Sequence, residues 1–147
     1  MYDRILVATD GSELSAQAVN SALALGKLCA AKVIALNVVP RYPRSYLEGN
    51  AALDAAEVER TEARWTAQAQ ELLDHVKAEG QTLAVDVQTV AIKSDMVAEA
   101  IISTATEHKA DLIVMASHGR KGIKRLLLGS ETQHVLTHSH IPVLVLR

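Results

Sequence analysis

Short apolar runs alternate with longer amphipathic stretches along the whole chain. The runs "RILVAT" (residues 4–9) and "KVIALNVV" (residues 32–39) are rich in β-branched residues and predict two strands. Apolar residues recur between them at helical spacing, and Ser12 is placed as the N-cap, so a βαβ unit is predicted. The apolar stripe of this helix comprises Val19, Ala22, Leu23, Leu25, Leu28 and Cys29.

Two further helices are predicted from apolar residues that recur every three to four positions. The first covers residues 51–77, with Gly80 as its stop, and follows a loop that reads "PRYPRSYLEGN". The second covers residues 95–108. The stripe of the first consists of Trp65, Ala69, Leu72, Leu73 and Val76.

Three more strands are predicted over residues 83–92, 110–117 and 143–147. The run at 110–117, "ADLIVMAS", is almost wholly apolar, so we expect a central strand that is buried on both faces. Strands that alternate with helices predict one domain over residues 1–147, a five-stranded parallel sheet flanked by helices on both faces. Such sheets bind ligands at the carboxyl ends of their strands, where the strand order reverses.

Charge and composition limit the classes of partner and the location that we expect for the protein. The formal net charge of −2 gives no overall attraction for nucleic acid or for an anionic membrane, and we expect neither as a partner. No window approaches the roughly 20 apolar residues that a membrane-spanning helix needs. Cys29 is the only cysteine, and the first residues lack the apolar region of a signal peptide, so a cytoplasmic protein is expected.

The loop after the fourth predicted strand has unusual charge. The stretch "MASHGRKGIKRLLLGSETQ" (residues 115–133) carries four basic side chains between glycines and then opens a helix. These side chains are Arg120, Lys121, Lys124 and Arg125. A glycine-flanked loop that enters a helix can present main-chain amides to a phosphate, and the helix N-terminus adds about half a positive charge. From charge alone, phosphate binding and a simply solvated basic loop are equally supported.

Familiar catalytic and phosphate-binding motifs do not fit. The chain has neither GxxxxGK[ST] nor a GxGxxG after a strand. A receiver-type phosphoacceptor domain would need a carboxylate where the third strand ends in "VAIK". An enzyme that cleaves the α-phosphate bond of ATP would need an SGGxDS-type loop, which "TDGSELS" does not supply. We therefore expect a protein that is not an enzyme and has no catalytic residues.

From "ILVATDGSELSAQAV" to "ADLIVMASHGRKGIKRLLLGSETQHVLTHSHIPVLVLR" the chain resembles the universal stress protein family. The resemblance implies a Rossmann-like α/β fold of the adenine-nucleotide-binding type, with strand order 3-2-1-4-5. Nucleotide-binding members carry Gly, two residues, Gly, nine residues, then Gly followed by Ser or Thr. The corresponding positions here are Ala116, Gly119 and Gly129-Ser130, so two glycines match and the first is alanine.

The resemblance also implies ATP, with Mg²⁺, as the ligand. Facing the ribose and adenine would be Ala8, Thr9 and Asp10, with the main chain near Val38 at the adenine edge and Ala116 by the ribose. The phosphates would be held by His118, Gly119, Gly129, Ser130 and the N–H of Glu131, with Ser117 and Arg120 in the same motif. Alanine at 116 keeps the main-chain N–H and costs about 1–2 kcal/mol only where φ must be positive.

Several of these residues have simpler interpretations. Ser130 with Gln133 forms a capping box, which needs no ligand. Trp65 and Cys29 are expected in the core. No metal site is expected, because the histidines near the chain end lack a cysteine or carboxylate at ligand spacing. They are His134, His138 and His140.

The last predicted strand would leave an apolar edge with unpaired backbone groups. The resemblance implies that this edge pairs antiparallel with its own copy, in a homodimer through Val143, Leu144 and Val145. The expected function is an ATP-binding regulatory or stress-response dimer with an unidentified protein partner. The alternative is a nucleotide-independent scaffold or chaperone-like dimer of the same fold.

Overall fold

Strands and helices alternate through the chain. The computed structural model describes residues 1–43, 55–119 and 128–147. The elements are β1 (Arg4–Ala8), α1 (Glu13–Cys29), β2 (Lys32–Val39), α2 (Ala55–Thr82), β3 (Val87–Lys93), α3 (Val97–Glu107), β4 (Leu112–Ala116), α4 (Ser130–His138) and β5 (Val143–Leu146). All five strands pair in parallel in the order β3-β2-β1-β4-β5. The predicted fold class and strand order are confirmed.

Each face of the sheet has its own apolar layer. Ile5 and Val7 of β1 pack with α1 and α2, whereas Leu6 between them packs with α3 and α4. This alternation follows from the two-residue period of a strand. β4 is buried along its whole length because β1 and β5 flank it and helices cover both faces. The prediction of a central strand at this position is confirmed.

α1 begins as predicted, but its apolar stripe is narrower. The Ser12 hydroxyl accepts a hydrogen bond from Ser15 N at 3.2 Å, which confirms the N-cap. Leu28 was expected in the stripe and is instead 83% exposed. It follows buried Gly26 by two residues, which is about 200° around the helix, so it faces away from the sheet.

α2 does not stop at Gly80 but continues through it to Thr82, so that prediction is wrong. Gly80 serves packing: a Cβ at this position would overlap the side chain of Val87 on β3. The chain turns instead at Ala84, whose φ of 58° lies in the left-handed region. Across the described ranges, no helix has both the length and the apolar character that crossing a bilayer requires.

The predicted stripe of α2 is correct only in its second half. Ala69, Leu73 and Val76 are buried against the sheet. Trp65, which was expected in the core, is half-buried and stacks on Tyr42 with ring centroids 6.2 Å apart. Cys29 is partly buried against the layer under α1 and α2.

The predicted capping box at the start of α4 is also wrong. The N-cap is Gly129, which has extended backbone, and Ser130 is the first helical residue. Gln133 does not reach back to the cap as the box requires; its Nε2 donates to the carbonyl of Leu128 at 3.0 Å. Glycine at the cap supplies no side-chain oxygen, so other groups must fix the start of this helix.

Candidate functional site

The turn after β1 is fixed by its own side chains. Gly11 adopts a φ of 80°, which favours glycine. An Asp10 carboxylate oxygen accepts from Ser12 N at 2.9 Å. The buried hydroxyls of Thr9 and Ser15 lie 3.1 Å apart in a hydrogen bond. The Thr9 side chain is therefore part of the turn, and its main chain lies at the carboxyl edge of the sheet.

β2 contributes a buried amide that the sequence analysis missed. Asn37 Nδ2 donates to the carbonyl of Thr9 at 2.8 Å, and Thr9 N donates to the carbonyl of Leu36 at 2.9 Å. The available signal was a single amide side chain in the otherwise apolar run "KVIALNVV". The next residue, Val38, is half-buried against the layer under α3 and pairs with Ile92 of β3.

The end of β4 is tied to the start of α4. Gly129 N donates to the carbonyl of Ser117 at 2.7 Å. The hydroxyl of Thr132, a buried residue, donates to the carbonyls of Ala116 and Ser117, each at 3.0 Å. Thr132 was not among the residues predicted from the sequence. Because the Gly129 amide is already bonded, Gly129 provides space at this edge rather than a free donor.

The turn after β4 approaches the turn after β1 at Gly119 and the start of α4 at Gly129. A Cβ built on Gly119 would lie 2.6 Å from an Asp10 carboxylate oxygen, and that carboxylate is held by Ser12 N. A Cβ on Gly129 would lie 3.2 Å from the carbonyl oxygen of Ser117. The turns after β1 and β4 and the start of α4 therefore lie side by side where the strand order reverses. Such sheets bind ligands outside this point, in the space that we call the crevice.

Ala116 fits its position without backbone strain. Among the described residues, positive φ occurs at Ala30, Ala84, Lys109 and Gly11. Ala116 is not one of them, and it ends β4 as a buried residue. The conformational cost that alanine would incur at positive φ does not arise here.

The first residues of α4 lie between the start of α3 and the crevice. Gln133 N is bonded to the carbonyl of Gly129 at 3.0 Å, and the amides of Ser130 and Glu131 precede this first turn of helical bonds. The Glu131 carboxylate accepts from Ala98 N, at the start of α3, at 2.9 Å. The start of α4 therefore presents main-chain donors and the positive end of the helix dipole to the crevice.

Ten of the predicted site residues lie around this crevice. They are Ala8, Thr9 and Asp10 after β1, Ala116, Ser117, His118 and Gly119 after β4, and Gly129, Ser130 and Glu131 at the start of α4. Val38 lies one strand away, near the end of β2. Arg120 lies outside the described residues, as do Lys121, Lys124 and Arg125.

The histidines near the chain end belong to a different surface. His134 Nε2 lies 3.4 Å from the Glu99 carboxylate, and its ring centroid lies 4.2 Å from that of His138. Within the described ranges, no three His, Cys, Asp or Glu side chains are arranged to hold a metal ion. In the crevice, His118 Nδ1 pairs with the hydroxyl of Ser117 at 3.1 Å.

A protein whose sheet is parallel, with glycines at the crevice where the strand order reverses, belongs to the Rossmann-like α/β class. The chain matches the profile of the universal stress protein family over residues 1–147 and belongs to that family. Universal stress protein MJ0531 of Methanocaldococcus jannaschii is 33% identical over 148 residues, spanning 100% of this chain and 83% of that protein.

Solved structures of the family have the same fold. UspA of Lactobacillus plantarum superposes with a TM-score of 0.85 at 26% identity, covering 99% of this chain and 98% of that one. A universal stress protein crystallised in complex with cAMP superposes with a TM-score of 0.72 at 27% identity. That comparison covers 99% of this chain and 97% of the other, so a relative of this fold binds an adenine nucleotide.

Proposed function

We propose that this universal stress protein binds ATP, accompanied by Mg²⁺, and acts in the cytoplasm as a regulatory dimer rather than as an enzyme. The observation that carries the proposal is the close approach at Gly119 and Gly129, where a side chain would meet Asp10 or the Ser117 carbonyl. A phosphate needs main-chain donors that no bulky side chain covers. The cAMP complex of a relative makes an adenine nucleotide the fitting ligand class.

The group proposed for each part of ATP is the one that the family resemblance implies. The amides of Ser130 and Glu131 at the start of α4 would hold the phosphates beside His118 and Gly119. Ala8, Thr9 and Asp10 would face the ribose and adenine, with Ala116 by the ribose and the main chain of Val38 at the adenine edge. Mg²⁺ would balance the charge of the triphosphate.

A binding role fits the crevice better than catalysis. His118 is the residue best placed to orient water beside a phosphate, and its Nδ1 pairs with the Ser117 hydroxyl. A general base usually has a partner that orients it and raises its basicity, most often a carboxylate, and a serine hydroxyl is a weak substitute. Any hydrolysis would therefore be slow and incidental to binding.

The dimer is proposed from the edge strand. Within the described ranges β5 pairs with β4 alone, and Leu144 on it is 38% exposed. Pairing of Val143, Leu144 and Val145 with a second copy would cover this edge through an isologous interface. Light scattering at micromolar protein should give twice the mass of the chain, and a monomer would contradict the dimer.

Calorimetry with Mg-ATP tests the binding proposal. The parent protein should bind, and Gly129→Asp should lose affinity by about 100-fold or more, because the carboxylate adds bulk and negative charge beside the phosphates. Leu136→Asp is the matched control, since it adds the same charge on an exposed position of α4. No heat from the parent up to millimolar Mg-ATP, or parent-like binding by Gly129→Asp, would overturn the assignment.

A further inference from the structure

The first turn of α3 lacks a side-chain cap of its own. Met96 occupies the N-cap position and makes no side-chain capping bond. The amides of a first helical turn have no partners within the helix and need acceptors from elsewhere. Ala98 N finds its acceptor in the carboxylate of Glu131, 33 positions further along the chain, at 2.9 Å.

Glu131 is also the residue whose main-chain N–H lies in the proposed phosphate site. It is the second residue of α4, a helix of nine residues, which is too short to be stable without tertiary contacts. The opposite flank of this first turn is held by the Thr132 hydroxyl, which donates to the carbonyls of Ala116 and Ser117. The start of α4 is therefore clamped between β4 and α3.

The same contact directs a negative charge away from the phosphates. A free carboxylate one residue from Ser130 would repel a triphosphate. Bonded to the amide end of α3, the Glu131 carboxylate lies where the dipole of that helix favours negative charge. One interaction thus fixes the helix start and controls where its acidic side chain lies.

We infer that Glu131 is a positioning residue whose carboxylate, bound to Ala98 N, holds the Ser130–Glu131 amides in place for the nucleotide phosphates. This inference rests on the proposed function. It concerns the side chain of Glu131, which does not itself touch ATP.

Comparison of ATP with adenosine separates positioning from general stability. Glu131→Ala should weaken Mg-ATP binding by about five-fold and leave adenosine binding unchanged. The substitution removes the bond from Ala98 N to the Glu131 carboxylate, which fixes the part of the site that holds the phosphates. Glu131→Gln keeps an acceptor oxygen and should retain the parent ratio of ATP to adenosine affinity. Glu71→Ala, which removes an exposed glutamate of α2, is the matched control.

Each alternative result contradicts the inference in a recognisable way. A lower melting temperature of Glu131→Ala with an unchanged affinity ratio would assign the contact to stability alone. Tighter ATP binding by both Glu131→Ala and Glu131→Gln would show that charge repulsion, and not positioning, is the dominant effect. A parent protein that binds neither ATP nor adenosine would overturn the proposed function and this inference with it.

Discussion

The turns at the amino ends of the strands are closed differently from the turns at their carboxyl ends. We call these two sides of the sheet the amino edge and the carboxyl edge. At the amino edge, α1, α2 and α3 each return to a strand through the same main-chain turn. A backbone N–H bonds to the carbonyl five residues earlier at 2.8 Å in each case: Ala31 to Gly26, Val85 to Gly80 and Ala110 to Ala105. The residue before each donor has left-handed backbone, and these residues are Ala30, Ala84 and Lys109. This is the Schellman arrangement, and here it is made without glycine at the left-handed position.

At the carboxyl edge, side chains hold the turns instead. Asp10 accepts from Ser12 N, Asn37 donates to the Thr9 carbonyl, and the Thr132 hydroxyl donates to two carbonyls at the end of β4. Gly119 marks the close approach of the turn after β4 to Asp10 of the turn after β1, and Gly129 that of the α4 start to Ser117.

We expect stability and ligand binding to depend on opposite ends of the strands in this fold. The amino-edge turns satisfy their own main-chain groups, so little remains there to recognise a ligand. At the carboxyl edge, side chains fix the main chain, and the first amides of α4 have no partner within the helix. Substitutions at the amino edge should therefore change unfolding free energy, and those at the carboxyl edge should change nucleotide affinity.

Among single-methyl changes at the two edges, the strongest loss of stability should occur at the amino edge. Gly80→Ala should lower the unfolding free energy by about 2 kcal/mol, because its Cβ would overlap the Val87 side chain. Urea denaturation measures the loss, and Mg-ATP affinity of the folded variant should stay at the parent value. In the double variant, Val87→Ala should make room, so that adding Gly80→Ala to it costs much less. Equal cost in both backgrounds would contradict the packing explanation.

At the carboxyl edge, Gly119→Ala should weaken Mg-ATP binding by about ten-fold, or roughly 1.4 kcal/mol. The added Cβ would meet the Asp10 carboxylate, which Ser12 N prevents from moving freely. Calorimetry gives the affinity, and urea denaturation should show a smaller stability change than Gly80→Ala. A large stability loss with unchanged affinity would reverse the proposed distinction between the edges.

The smallest effect should be a gain. Ala84→Gly should raise the unfolding free energy by about 0.5 kcal/mol, because relief of left-handed strain exceeds the entropy cost of glycine. Thermal or urea unfolding measures this gain. Ala78→Gly is the control: it lies inside α2, where glycine should destabilise by about 1 kcal/mol. Destabilisation by both substitutions would contradict the strain at Ala84.

Local pattern was sufficient to predict the strands and helices along the chain. The apolar runs predicted β1, β2 and β4, and the resemblance supplied strand order 3-2-1-4-5, which the structure confirms. The wrong predictions concern two residues whose type suggests one role in the sequence and which have another role in the structure. Gly80 has the character of a helix stop, but the bulk of Val87, across the helix-to-strand turn, requires glycine inside the helix. Ser130 has the character of a cap, but Gly129 takes that position.

The crevice was predicted only in outline. Its glycines and its place at the strand ends follow from the sequence, and binding of ATP there stays a prediction. The contacts that shape it are long-range: Asn37 and Thr9 are 28 positions apart, and Glu131 and Ala98 are 33 apart. Neither periodicity nor a short motif encodes such pairs, because each depends on how separate elements pack. Asn37 alone gave a signal, as a polar residue in an apolar strand.

A crystal structure of the protein grown in excess Mg-ATP would show whether the nucleotide binds in the crevice. We predict the triphosphate between Gly119 and the start of α4, with the adenine beside the main chain of Val38. A crevice that is collapsed, or filled by the protein's own side chains with ATP absent, would contradict it.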